Sequence, residues 1–496
     1  MTTDQRANAP ETASPTNVRM VIGGEGVDAA DGQTFDVVNP ATGAVIAKAP
    51  LGGREDVDRA VAAARKAFDD PKGWAAWAAG KRGRTLAKFA ALVKQNSEEL
   101  AQLETANGGK PITSSRGEVV GASLVFDYYA GAANKVFGQT IPVSKPGIDL
   151  TLREPIGVVG LIVPWNFPIL MASWKLGPAL AAGNACILKP ASYTPLTAIR
   201  LGELALEAGI PAGILNVVTG PGGTAGASIA AHPGVGKVAF TGETTTGQEI
   251  MRLASANVKK ISLELGGKSP NIVFADADLA KFARESPYSV FDNCGQDCCA
   301  RSRILVERSV HDELVELFAA ATRKVKVGDP LDETTEVGPL VSVKQRDRVK
   351  DYIEIGLGEG ATIVVGGAAP DDPALAGGAY LMPTVFDGAT NEMRIAREEI
   401  FGPVVSVIPF HTEEEALRLA NATPYGLSGS IWSRDIGKAL RAAKSLQAGV
   451  ISVNSNSSVH TEAPFGGYKM SGIGRELGMS ALDLYTETKN VFIDLT

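Results

Sequence analysis

The sequence predicts an α/β protein built on parallel sheets, and two observations carry that expectation. From Gly157 onward, short apolar runs alternate with helical stretches: GVVGLIV, ILMASWKLGPALAAG, ACILKP, TPLTAIRLGELALEAG, GILNVVTG and KVAFTG. Strands separated by crossover helices are the pattern of βαβ units. From about Leu265 a second region, with ILVERSVHDELVELFAAATRKVKV, PVVSVIPF and GVISVN, follows the same logic without repeating the first. We therefore expect a second domain and no duplication. In such sheets ligands bind at the carboxyl ends of the strands, so the residues just after each apolar run are the ones to inspect.

The remaining elements fit around these two regions. Residues 55–139 read as helical, with Val57, Val61, Ala64 and Phe68 on one face and Leu86, Phe89, Ala90 and Val93 on another. TIPVSKPGIDLTLREPIG and the terminal KNVFIDLT alternate like exposed strands, which commonly pair with another subunit. The expected division is a loose tail over 1–17, a first domain over 18–139 and 158–264, a second over 265–465, and an arm over 140–157 and 483–496.

Composition removes several functional classes. A chain of 496 residues exceeds what one hydrophobic core serves. Its formal net charge of -7 argues against a phosphate-backbone partner. The first twenty residues lack the apolar core of a secretory signal, and no apolar run reaches membrane-spanning length. Three of the four cysteines (Cys186, Cys294, Cys298, Cys299) fall within six residues, which is no spaced disulfide framework and reads as reduced and cytoplasmic.

Four segments offer chemistry. FDNCGQDCCARSR sets Cys298 among glycine and polar residues, a setting that suits a nucleophilic thiol. Three inert buried cysteines are the competing reading. A resident zinc is disfavoured because the C-x₂-C pairs of zinc modules are missing, so no metal is expected. KKISLELGGKSP places Glu264 at a strand end, where partial burial raises a carboxyl toward a general base; a solvated glutamate is the alternative. GLIVPWNFP brackets Trp165, Asn166 and Phe167 between prolines, so that the Asn amide can meet an oxyanion. ILKPAS and VAFTGETTTG carry Lys189, Gly242 and Gly247. The two glycines flank a turn that opens a helix and can cradle phosphate, although the G-x-G-x-x-G fingerprint is absent.

Together these segments resemble the aldehyde dehydrogenase superfamily. PWNFP, LELGGKSP, GQDCCA, EEIFGPV and PFGGYKMSG occur in that order and at the family's spacing, and the similarity runs from VVNPATG to RELGMSALDLYTETKNV. The resemblance implies a Rossmann-like cofactor domain, an α/β catalytic domain and a β-arm that joins subunits into a homodimer or homotetramer. It implies Cys298 as nucleophile, Glu264 as base for the deacylating water, and Asn166 with the Cys298 backbone N–H as oxyanion hole. Lys189 and Glu399 match a ribose-contacting pair, Trp165 and Gly242 line the pyrophosphate, and Phe401 packs by the nicotinamide ribose. A Cys298 thiolate would add to the aldehyde, the resulting thiohemiacetal would give up hydride to NAD, and the thioester would be hydrolysed.

Certain positions depart from the family pattern. Ser192 stands where NAD-preferring members often carry a glutamate, so NAD is expected with NADP tolerated. Glu243 replaces a serine that often contacts pyrophosphate. GQDC together with PWNFPILMASWK looks like the aminoaldehyde and betaine aldehyde branch. Asp292 and Asp297 are therefore expected to attract a substrate amine such as that of 4-aminobutanal, with Phe167, Trp174 and Phe465 lining the tunnel. Betaine aldehyde enzymes place cage tryptophans where Asp292 and Phe465 stand, which favours a primary amine. Other readings are a broad-range aldehyde enzyme, a CoA-acylating semialdehyde enzyme (disfavoured by the retained Glu264), a non-catalytic scaffold, and a cysteine hydrolase (disfavoured because none of the four histidines sits in a motif).

Overall fold

The computed structural model describes residues 15–457 and 459–496. Its centre is two sheets. The first runs in the order Gly472–Ile473, Lys260–Glu264, Lys237–Thr241, Val158–Ile162, Ala185–Lys189, Leu215–Val217, Met20–Ile22, Glu25–Val27. Its five middle strands are parallel, and the short outer ones are antiparallel. Val158–Ile162, Ala185–Lys189 and Lys237–Thr241 are buried along their whole length, which is why they read as unbroken apolar runs. Register aligns their ends: Thr241 lies opposite Glu264, and Ile162 opposite Lys189.

The second sheet has the order Thr362–Val365, Thr384–Asp387, Val404–Phe410, Arg303–Glu307, Pro270–Val273, Ser428–Trp432, Val450–Val453, parallel except for its first pair. Each sheet carries its own large apolar core. The helices Arg54–Phe68, Ala79–Gln95, Ser97–Gly108 and Ile112–Ala132 form within the predicted helical region and pack onto the first core. The helix Pro168–Ala182 starts on a proline, whose fixed φ suits the first turn, and ends at Gly183 with φ 98°.

The two segments read as exposed strands pair with each other. Thr486–Asp494 runs antiparallel to Gly147–Pro155, which also takes Thr140–Ile141. The loose-tail expectation needs correcting at its end. Thr16 and Asn17 form a strand parallel to Val45–Pro50, because the free edge of that strand offers backbone partners; residues 1–14 lie outside the described residues. Among the described residues no helix is long and apolar enough to cross a membrane.

Candidate active site

Most of the predicted catalytic and cofactor residues converge at the carboxyl ends of the first sheet's strands, in a cleft that Gln345, Arg348, Glu399 and Phe401 also line. The loop after Val158–Ile162 presents Trp165 and Asn166, the strand Lys260–Glu264 ends in Glu264, and Cys298 follows a tight turn. In that turn Asn293, Cys294 and Gly295 all have positive φ (48°, 57° and 69°), a left-handed run that reverses the chain ahead of the thiol. A cleft of about 730 Å³ is walled by Trp165, Asn166, Gly242, Glu243, Glu264, Cys298, Glu399 and Phe401, together with Pro164, Met171, Thr241, Leu265, Gly266, Gln345 and Arg348.

Close approaches fix this wall. A Cβ at Gly266 would lie 2.0 Å from a Glu399 oxygen, so only glycine lets that carboxylate reach the backbone. Glu399 Oε1 accepts the Gly267 N–H at 3.0 Å. Burial pushes the Glu399 carboxyl up to about 7. Phe401, at φ 59°, stands edge-on to Trp165 with ring centroids 5.1 Å apart, and Gln345 Nε2 donates to the Phe401 carbonyl at 2.8 Å.

Asn166 is buried, and its Nδ2 donates to the Gln296 carbonyl at 2.9 Å. In return Asn293 Nδ2 donates to the Asn166 carbonyl at 2.8 Å, which locks the loop to the turn before Cys298. Glu264 is 2% exposed and its Oε1 has no hydrogen-bond partner among the described residues. Burial holds its carboxyl well above the ordinary range. The charge of Glu476 adds to that, while Lys175 and Arg475 oppose it. Lys175, fully buried, bonds Thr241 Oγ1 at 2.8 Å and Glu476 Oε1 at 2.5 Å.

The neighbouring Cys299 thiol, burial, and the charges of Asp297 and Glu264 push the Cys298 thiol well above its ordinary range. The Sγ atoms of Cys298 and Cys299 are 4.0 Å apart.

A family model of the aldehyde dehydrogenases matches residues 27–491. The chain belongs to the aldehyde dehydrogenase family. It is 45% identical to the betaine aldehyde dehydrogenase of Bacillus subtilis over 95% of this chain and 96% of that protein. The betaine aldehyde dehydrogenase of Staphylococcus aureus, solved with NAD+, superposes with a TM-score of 0.94 at 42% identity, covering 96% of this chain and 94% of that one. The P. syringae indole-3-acetaldehyde dehydrogenase, solved with NAD+ and IAA, gives a TM-score of 0.94 at 46% identity, covering 96% of each chain.

Not every residue singled out in this aldehyde dehydrogenase sequence reaches the cleft wall. Lys189 is buried beside it, with Nζ donating to the Pro190 carbonyl at 2.9 Å and the amine lowered by burial to about 8. Ser192 donates to the Gly220 carbonyl at 3.1 Å. Gly247 lies in the helix Thr244–Ala254, where a Cβ would strike Leu265 at 2.7 Å. Trp174 and Phe465 are buried, with their ring centroids 5.0 Å apart. Phe167 is half-buried under the Lys110 ammonium, 4.3 Å from its ring centre. Asp297 lines a second opening with Asp292, Glu285, Cys299 and Arg301. Both aspartates also bond local backbone, Asp297 to the Cys299 N–H and Asp292 to the Asn293 N–H, each at 2.9 Å.

Sequence reading missed Arg348, Gln345, Lys175 and Glu476. Arg348 and Gln345 sit on the helix Val343–Gly358, outside any motif. Lys175 and Glu476 lie 301 positions apart and mean something only as a pair.

Proposed function

We propose that the chain oxidises an aldehyde to a carboxylic acid with NAD, through a covalent intermediate on Cys298. One observation carries the reading: Cys298, Glu264 and Asn166 share a single cleft wall with Trp165, Glu399 and Phe401.

The residues present fit a dinucleotide. Thr244, first in the helix Thr244–Ala254 and just past Gly242, has a buried hydroxyl with no partner among the described residues, and the helix N-terminus favours an anion. Trp165 and Phe401 offer flat walls, and Glu399 and Lys189 offer polar ends. When bound, the nicotinamide ring supplies the hydride acceptor.

The chain's own groups do the rest. Cys298 loses its thiol proton to solvent in the open cleft, and its sulfur forms a bond to the aldehyde carbon while the carbonyl π pair moves to oxygen. The second N–H of the Asn166 amide and the Cys298 backbone N–H face that oxygen, each such donor lowering the barrier by about 3–4 kcal/mol in comparable sites. The carbonyl re-forms as hydride leaves, giving a thioester. Glu264, once ionised, takes a proton from water, whose oxygen adds to the thioester. The C–S bond then breaks, the carboxylic acid leaves, and the sulfur is returned.

The acidic wall formed by Asp292, Asp297 and Glu285 supports a cationic substrate end such as the amine of 4-aminobutanal. The paired strands Gly147–Pro155 and Thr486–Asp494 expose Ile148, Leu152, Phe492 and Ile493, which supports a homo-oligomer through this arm. The test is the near-ultraviolet absorbance of reduced nicotinamide with aldehyde and NAD, with and without CoA. Cys298→Ala is expected to abolish reduction, and CoA is expected to be unnecessary. A wild-type rate in that variant overturns the reading.

A further inference from the structure

We propose that Asp297, Cys298 and Cys299 form an open three-ligand site for a soft or borderline divalent cation, Zn2+ in the first instance, and that its occupation removes the nucleophile. One carboxylate oxygen and the two sulfurs lie within 4.8 Å of one another. A tetrahedral zinc with Zn–S bonds of about 2.3 Å holds its sulfurs about 3.8 Å apart. The two sulfurs stand at 4.0 Å, close to that spacing, and the Asp297 oxygen, within 4.8 Å, closes toward the about 3.5 Å that oxygen and sulfur ligands of one zinc keep. A disulfide would need the same atoms at about 2.05 Å, across the single peptide bond that separates the residues. The spacing argument made from the sequence excludes a closed four-ligand zinc, not an open site that completes its shell with water.

Access comes from both sides. Cys298 faces the main cleft, while Asp297 and Cys299 line the second opening. Binding exchanges two thiol protons for one cation: two S–H bonds break, two metal–sulfur bonds form, both protons go to solvent, and no electron moves. The carboxylate and two thiolates carry three negative charges against the cation's two positive ones. The Arg301 guanidinium, bonded to the Cys299 carbonyl, shares the surplus. The loss of function rests on Cys298 being the nucleophile; the cation site itself does not.

The test titrates the full-length protein with Co2+ and reads the sulfur-to-cobalt charge-transfer band, whose intensity counts thiolate ligands. It then measures Zn2+ inhibition of aldehyde oxidation. Wild type is expected to show a two-thiolate band and chelator-reversible inhibition. Cys299→Ser keeps Cys298, Glu264 and Asn166, and its zinc inhibition is read relative to its own zinc-free rate. It should drop to a one-thiolate band and need at least roughly 10- to 100-fold more zinc for the same inhibition, the loss that removing even an outer-shell partner of a ligand causes. A two-thiolate band in a protein that oxidises no aldehyde supports the site and defeats the reading of Cys298 as nucleophile. An unchanged band and unchanged zinc sensitivity in Cys299→Ser overturn the proposal.

Discussion

The Lys175 ammonium lies 2.5 Å from Glu476 Oε1, and both side chains are buried behind Glu264. The two charges act on Glu264 in opposite directions, Glu476 raising its carboxyl and Lys175 lowering it. Glu476→Gln removes a raising charge, so the acid limb of the deacylation rate is expected to move to lower pH. Lys175→Met removes a lowering charge, and the limb is expected to move to higher pH. Shifts in the same direction for both variants would show that the pair does not set the protonation of Glu264. Breaking the pair also leaves one buried charge uncompensated, at about 3–5 kcal/mol, so thermal unfolding of both variants is expected at lower temperature.

Asn166 is locked between Gln296 and Asn293 by two bonds of 2.9 and 2.8 Å. The amide is therefore oriented before substrate arrives. Asn166→Ala is expected to lower kcat by about a hundred- to a thousand-fold. Its KM for aldehyde should change little, because the lost donor acts on charge that develops only as the sulfur adds. A variant that raises KM and spares kcat would assign Asn166 to ground-state binding.

The pattern of the sequence shows which residues sit at strand ends, because one residue and its neighbours suffice for that. Glu264 closes an apolar strand, and Trp165 and Asn166 follow another. What it hides is pairing at a distance. Trp174 and Phe465, far apart in the chain, meet with their ring centroids 5.0 Å apart. Arg348 enters the cleft from a helix that looks like any solvated amphipathic segment. The upward push on the Cys298 thiol is equally invisible in sequence, since it depends on where Cys299, Asp297 and Glu264 lie.

Lys237 is buried, with Nζ donating to Ser262 Oγ at 2.9 Å, and burial lowers its pKa to about 7. In the unfolded chain a lysine titrates near its ordinary value of about 10.4. Between about pH 7 and pH 10 the unfolded state therefore binds more protons at this site, and the site's contribution to stability rises with pH. Lys237→Met removes the burden of burying a charge. The variant's advantage in melting temperature over wild type is expected to be largest at or below pH 7 and to shrink as pH climbs toward 10. An advantage that stays constant with pH would mean Lys237 keeps its proton in the native state over that range, as it does in the unfolded chain.

Asp292 is exposed at the second opening and accepts the Asn293 N–H. If the acidic wall selects amines, Asp292→Asn is expected to lower kcat/KM for 4-aminobutanal roughly three- to tenfold, the range of an exposed charge pair, and to leave butanal unchanged. High salt should reproduce the effect in wild type. Equal losses for both aldehydes would place Asp292 in the structure of the turn and leave the wall without a role in selectivity.

Ser192 places a neutral hydroxyl, bonded to the Gly220 carbonyl at 3.1 Å, just after the strand that ends in Lys189. A carboxylate there would repel a 2′-phosphate, and a hydroxyl does not. Wild type is therefore expected to reduce NADP as well as NAD. Ser192→Glu is expected to cut kcat/KM for NADP by at least about fivefold, the equivalent of about 1 kcal/mol between unit charges 4 Å apart in water. The same change should leave NAD unharmed or improved, because a carboxylate can accept from the free ribose hydroxyls. Kd values for the two reduced cofactors, followed by their fluorescence, separate this from an effect on turnover. If both cofactors weaken together, Ser192 supports the loop and does not read the ribose.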